Sequence, residues 1–199
     1  HLVGGAGDDY LSDWQGSDRL YGDDGNDTLV AYGAMYGQAD SDLLDGGAGD
    51  DRIVSYIGGL FHTLTGGSGA DTFAFSVMNT ASEPNTFLGT PWVTDFNAAE
   101  GDRIDLSGLL PFDVTLPIVF RGQAPAGFSA APGEAAPGAD LGANALQAWT
   151  FTTGNTSFLY ADVNRNFVVD AADLRVAFDG VSAISAGDLL NTQPSIVGS

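Results

Sequence analysis

Between Gly4 and Ala74 single apolar residues recur every nine positions, and most of what separates them is glycine, aspartate or another small polar residue. Leu11, Leu20, Leu29, Leu44, Ile53, Leu64 and Phe73 fill the apolar column once two short insertions, Ala31 to Tyr36 and Ser55 to Tyr56, are set aside. Two residues ahead of each stands Asp9, Asp18, Asp27, Asp42, Asp51, His62 or Asp71. The pattern predicts one short strand per unit with a single inward side chain, entered through a turn that glycine's access to positive φ permits. One such unit cannot bury a core. Stacked units can, because the apolar residues then form an internal ladder and the strands pair in parallel.

A longer period lies beneath the short one. The glycine-rich copies begin at Gly4, Gly22, Gly46 and Gly66, and weaker copies fall between them. Two units per turn of a flattened helix would stack all the glycine-rich loops on one edge and the weak ones on the other. Carboxylates and turn carbonyls suit a hard cation with six or more oxygen ligands, whereas zinc would call for cysteine or clustered histidine. The chain has no cysteine. Asp and Gly also dominate ordinary turns, but turn preference alone would not hold one column fixed over seven units.

The units GGAGDDYLS, GGAGDDRIV and GGSGADTFA resemble the nonapeptide of the RTX (repeats-in-toxin) family. The resemblance implies a right-handed parallel β-roll that holds calcium between the turn of one unit and the turn two units on. It makes Asp9, Asp27, Asp51 and Asp71 side-chain ligands, with turn carbonyls near Gly5, Gly7, Gly25, Gly47, Gly49, Gly67 and Gly69 completing each shell. Four stacked loops leave about three gaps for ions. On the other edge Asp18 and Asp42 keep the carboxylate without paired glycines, and His62 replaces it, so at most one ion is expected there.

The chain reads as all-β: beyond residues 1–74, residues 75–199 are expected to form a β-sandwich-like cap. WVTDF (Trp92 to Phe96) and GDRIDLSGL (Gly101 to Leu109) resemble the end region of RTX modules in serralysin-type proteases and alginate epimerases, which continues the sheet and closes the roll. RIDLS alternates like a half-buried strand, and Asp95, Asp102 and Asp105 are further candidate ligands against surface or turn roles. FDVTLPIVF is strand-like, with Pro117 marking an edge or bulge. Residues 122–145, rich in Ala, Gly and Pro, read as a long surface loop. The strand-like runs AWTFTT, TSFLYAD and LRVAFDG follow, with DVNRNFVVDAAD between the last two. There Asp162, Asn164, Asn166, Val168 (by its carbonyl), Asp170 and Asp173 have the spacing of an EF-hand-like loop, although Phe167 stands where glycine belongs and Asp173 replaces the bidentate glutamate. A calcium loop and a plain hairpin turn both fit. SAGDLL near the end resembles the uncleaved type I secretion signal of serralysins, here with nine further residues.

His1, Leu2 and Val3 fit the last three positions of a preceding unit, so the chain is expected to start inside a repeat, with an upstream domain of the same parent protein. A net charge of −20 from 26 acids and six arginines argues against nucleic acid and anionic membrane. No apolar run approaches a membrane span. With His1 and His62 as the only histidines, an HExxH zinc site cannot be built, and the carboxylates fall in ligand patterns. The expected function is a non-catalytic calcium-binding module of a secreted bacterial protein. It would fold outside the cell and support type I secretion and the stability of the upstream domain. The alternative is a module that grips a surface polysaccharide or serves adhesion.

Overall fold

The computed structural model describes residues 1–32, 41–56, 61–76, 89–109, 117–131, 133–136, 145–163, 173–181, 183–190 and 192–193. The chain winds between two sheets. Strands β1 (Leu2–Ala6), β3 (Arg19–Asp24), β5 (Leu43–Ala48), β7 (Thr63–Ser68) and β9 (Trp92–Val93) lie in the first, and β2 (Tyr10–Asp13), β4 (Thr28–Ala31), β6 (Arg52–Tyr56), β8 (Thr72–Ser76) and β10 (Arg103–Asp105) in the second. All pairings among these ten are parallel. Each turn therefore consumes two nine-residue units, as the alternation of strong and weak copies requires.

Register places the apolar column on the inside. Leu20, Leu44 and Leu64 stack in one sheet and Leu29, Ile53 and Phe73 in the other, all with no exposed surface. Leu11 is buried as well. Val93 and Ile104 continue the two ladders into the cap, so WVTDF and RIDLS form the last turn of the roll.

Beyond β9 the first sheet carries on through β14 (Leu174–Asp179), β13 (Thr156–Asp162), β12 (Leu146–Thr153), β11 (Ile118–Gln123) and β15 (Thr192–Gln193). β12, β13 and β14 are antiparallel neighbours, while β14 joins β9 in parallel. β11 starts directly after Pro117 and shifts register between Phe120 and Gln123, a bulge where an edge or bulge is expected. One buried cluster runs through roll and cap, with Phe96 packed between Phe73 and Phe178.

The Ala/Gly/Pro-rich stretch departs from a plain surface loop. Ala124, Ala130 and Ala136 are buried with Trp149, Phe151 and Tyr160, and Phe128 meets Phe151 and Tyr160 edge-on. Glu134 pins this segment by accepting from the Ser129 and Ala131 amides and the Ser129 hydroxyl. Composition concealed this because alanine in a coil segment reads as filler until the neighbouring sheet shows an aromatic surface to cover.

Candidate metal centre

The glycine-rich loops join the first sheet to the second, so they stack along one edge. Their sixth-position aspartates turn inward: Asp27, Asp51 and Asp71 are each at most 2% exposed. The side chain folds back over its own loop, where a Cβ on Gly22 or Gly46 would overlap Oδ2 of Asp27 or Asp51. The fourth-position glycines serve a second purpose. Gly25 and Gly49 hold φ of 141° and 135°, and a Cβ there would strike the carbonyl of the loop below. Asp23, with φ of 71°, adopts this region at a second position where the other strong units have glycine.

The aspartates form a ladder. Oδ1 of Asp27 accepts the amide of Asp9, Asp51 that of Asp27 and Asp71 that of Asp51, at 2.7–2.9 Å. One oxygen of each carboxylate is thereby committed to the loop below. The other oxygen of Asp27 and of Asp51 is buried and has no hydrogen-bond partner among the described residues. Burying an ionised oxygen without a partner is unfavourable by several kcal/mol, a cost that a nearby cation would offset.

Electrostatics agrees. Burial pushes the Asp71 carboxyl up to about 7, with the Asp51 amide bond opposing and the charges of Asp102, Asp51 and Asp95 adding to the rise. Asp51 is pushed up to about 6, again by burial first, against the Asp27 amide bond and with help from Asp27, Asp45 and Asp50. Coils about 4.8 Å apart put neighbouring carboxylates in mutual repulsion of about 1 kcal/mol at the dielectric of water and about 3 at an effective value of 20. Among the described residues no three acidic or histidine side chains converge on one point. A cation on this edge must then draw much of its shell from main-chain carbonyls, which suits calcium and disfavours zinc. The donor set fits: a spare carboxylate oxygen on Asp27 and another on Asp51, in turns that also offer main-chain carbonyls.

The RTX calcium-binding nonapeptide repeat family matches residues 1–29 and 35–58. This stretch is an RTX calcium-binding array. No curated protein matches the chain as a relative. Two solution structures, both subunits of a mannuronan C5-epimerase from Azotobacter vinelandii, are similar to it. AlgE6R3 is 25% identical over 98% of this chain and 83% of its own, with a TM-score of 0.33. AlgE6R2 is 26% identical over 95% of this chain and 91% of its own, with a TM-score of 0.34.

The weak edge of the RTX array keeps the same ladder with altered parts. The Asp18 amide donates to Asp42 Oδ1 at 2.9 Å, and the Asp42 amide donates to His62 Nδ1 at 3.1 Å. Nδ1 also stands 3.3 Å from Asp42 Oδ2, a contact that a protonated ring would favour. Nδ1 takes the place that a carboxylate oxygen has in the other rungs, as the acceptor of the Asp42 amide. His62 is thus a structural substitute for aspartate, a role its place in the column suggests.

At the cap the candidate carboxylates are engaged by the protein. Asp95 accepts the Gly66 and Gly67 amides with its two oxygens. Asp102 extends the RTX ladder by accepting the Asp71 amide, and its second oxygen takes the Asn97 amide. Asp105 pairs with Arg52 at 2.8 Å and accepts from Ser107; despite burial these partners hold its carboxyl below the usual range. In the downstream loop, Asp162 and Asp173 are buried at its two ends, and Asp173 accepts the Val163 amide and the Tyr160 hydroxyl. Asn164, Asn166, Val168 and Asp170 lie outside the described residues.

Sequence reasoning missed the fifth position. Asp8, Asn26 and Asp50 make a second, outer set of rungs, in which each side chain accepts an amide of the loop above. The signal was there: that column is Asp or Asn in three of the four strong units.

Proposed function

We propose that this chain is a non-catalytic folding module of a secreted bacterial protein, compact when calcium is plentiful and expanded when it is scarce. The observation that carries the reading is the pair of buried, unpartnered oxygens on Asp27 and Asp51, one coil apart in a column of like charges. Held in the roll without a counterion, the column repels itself and desolvates each carboxylate, and one apolar side chain per unit has little with which to offset this and chain entropy. Bound calcium would supply the missing positive charge. The Asp oxygens and turn carbonyls would then hold successive loops together while the Oδ1 rungs fix their register.

Extracellular-type sites bind at roughly 10⁻⁴ to 10⁻³ M, so cytosolic calcium would leave them unfilled and external calcium would load them. At ten times each dissociation constant, about three independent ions contribute about 4 kcal/mol, comparable with the whole stability of a marginal domain. That difference keeps the chain export-competent inside and folded outside, in support of type I secretion and of an upstream domain. Far-UV circular dichroism tests this: we expect a β signal in millimolar calcium and its loss in chelator. Identical spectra would overturn the reading.

A second reading, as a module that grips a surface polysaccharide, draws on the outer face of the second sheet. In a chain of net charge −20 that face carries Arg52 and Arg103 against one carboxylate in its strands, Asp105, and beside them Trp14, Tyr32 and Tyr56 stack at 4.2 and 4.8 Å between centroids. Calorimetry with acidic and neutral glycans in calcium separates the two; no heat with either leaves only the folding role.

A further inference from the structure

The fifth-position side chains have no part in the nonapeptide reading, yet the structure gives them one bond each of the same kind. The Asn26 amide donates to Asp8 Oδ1 at 2.9 Å, the Asp50 amide to Asn26 Oδ1 at 2.8 Å and the Ala70 amide to Asp50 Oδ1 at 2.8 Å. Their direction is opposite to that of the sixth-position rungs. A sixth-position aspartate reaches down to the amide of the loop below, whereas a fifth-position residue reaches up to the amide of the loop above. Every gap between glycine-rich loops is thus bracketed by an inner rung and an outer one at the surface, and in two of the three the inner aspartate, Asp27 or Asp51, keeps its second oxygen buried.

Two details decide what the outer rung does. One of the three residues is Asn26, which brings no charge but makes the same bond, so the acceptor oxygen matters and the charge does not. The last strong unit has Ala70 at this position, and no further glycine-rich loop stacks above it; the cap takes over there through Asp95 and Asp102. Asp8, Asn26 and Asp50 each offer an acceptor to the glycine-rich loop above, whereas the cap turn that brings Gly101 over Ala70 is held by Asp102 and Asp95 instead. On the weak edge Ser17 makes the equivalent bond to the Ser41 amide at a longer 3.2 Å.

We infer that Asp8, Asn26 and Asp50 are positioning residues: they set the spacing between successive loops, and hence the fit of each calcium gap, through a neutral hydrogen-bond acceptor and not as metal ligands. The inference rests on the calcium reading above, and an uncharged acceptor at these positions should serve as well as a carboxylate.

The test compares Asp50→Asn with Asp50→Leu, and Asn26→Asp with Asn26→Leu, in the full chain. Two quantities are read: calcium affinity by calorimetry, and hydrogen exchange of the amide each rung holds, Ala70 for residue 50 and Asp50 for residue 26. Leucine should weaken calcium binding roughly tenfold and speed exchange of that amide by a similar factor, the size of one lost hydrogen bond. Asn at 50 and Asp at 26 should stay within about threefold of the parent chain on both. A Leu variant that fails to fold in saturating calcium, beside an Asn variant that folds, gives the same support. Loss of affinity in Asp50→Asn equal to that in Asp50→Leu would make the carboxylate a ligand and overturn the inference, as would a Leu variant indistinguishable from the parent. If instead the parent chain folds alike with and without calcium, the folding-module reading fails, while the exchange comparison still reports on the rungs.

Discussion

Asp51→Asn should change stability in opposite directions depending on calcium. Asp51 is 2% exposed, holds the Asp27 amide at 2.7 Å through Oδ1, and has no partner for Oδ2 among the described residues. Its carboxyl is pushed up to about 6 from 3.8. At about 1.4 kcal/mol per unit, keeping it ionised in the metal-free roll at pH 7 costs about 3 kcal/mol. Asparagine keeps the Oδ1 acceptor and removes that charge, but places an N–H₂ where Oδ2 lay, with about 1–2 kcal/mol lost for want of an acceptor. The balance favours the metal-free variant by about 1–2 kcal/mol. In calcium the variant lacks a charged oxygen at its gap, and affinity there should fall at least tenfold, about 1.4 kcal/mol. Urea unfolding followed by far-UV circular dichroism, run in chelator with a stabilising osmolyte and again in millimolar calcium, reads both terms. A variant destabilised equally in the two conditions would refute the argument, since Asp51 would then be an ordinary turn residue whose charge is under no strain.

Two other outcomes follow from the same edge. Because Asp51 and Asp71 are held above their unfolded value, the metal-free roll binds more protons than the unfolded chain between about pH 4 and pH 7. Its stability is therefore fully present below pH 4 and declines as pH rises through 6 and 7, by up to about 1.4 kcal/mol per unit for each group. Metal-free β signal should be stronger at pH 5 than at pH 7.5, and calcium added near pH 6 should release protons into a weak buffer; a signal that weakens on acidification contradicts this. Gly49→Ala combines a φ of 135° with a Cβ that overlaps the Gly25 carbonyl, and should lower stability in calcium by about 3 kcal/mol. Gly122→Ala, at φ of 79° with open space around it, should lose only about 1 kcal/mol, and equal losses in a thermal melt would deny the close approach of loops.

The roll was legible because its information is periodic. A column that repeats every nine residues fixes which side chain points inward whatever the rest of the chain does, and Leu20, Leu29, Leu44, Ile53, Leu64 and Phe73 are all fully buried. The turn geometry was legible for a similar reason: Gly5, Gly7, Gly25, Gly47, Gly49, Gly67 and Gly69 all take positive φ. The cap was less so. Asp95, Asp102 and Asp105 look like ligand candidates in one dimension, and only their partners, Gly66, Gly67, Asp71, Asn97, Arg52 and Ser107, show that their oxygens hold the protein together.

By itself the sequence determined the repeat, its two-per-turn winding, the buried ladder and which residue types line the glycine-rich edge, because each depends on short-range spacing that local geometry translates directly into direction. Tertiary structure alone decided which oxygen of each aspartate is committed to a backbone amide and which is left over. It also decided that His62 can stand in for a carboxylate, and that the fifth-position side chains point across the gap. Those outcomes turn on atoms from loops 18 to 24 residues apart being brought within 3.1 Å, a proximity that only the stacked coil creates.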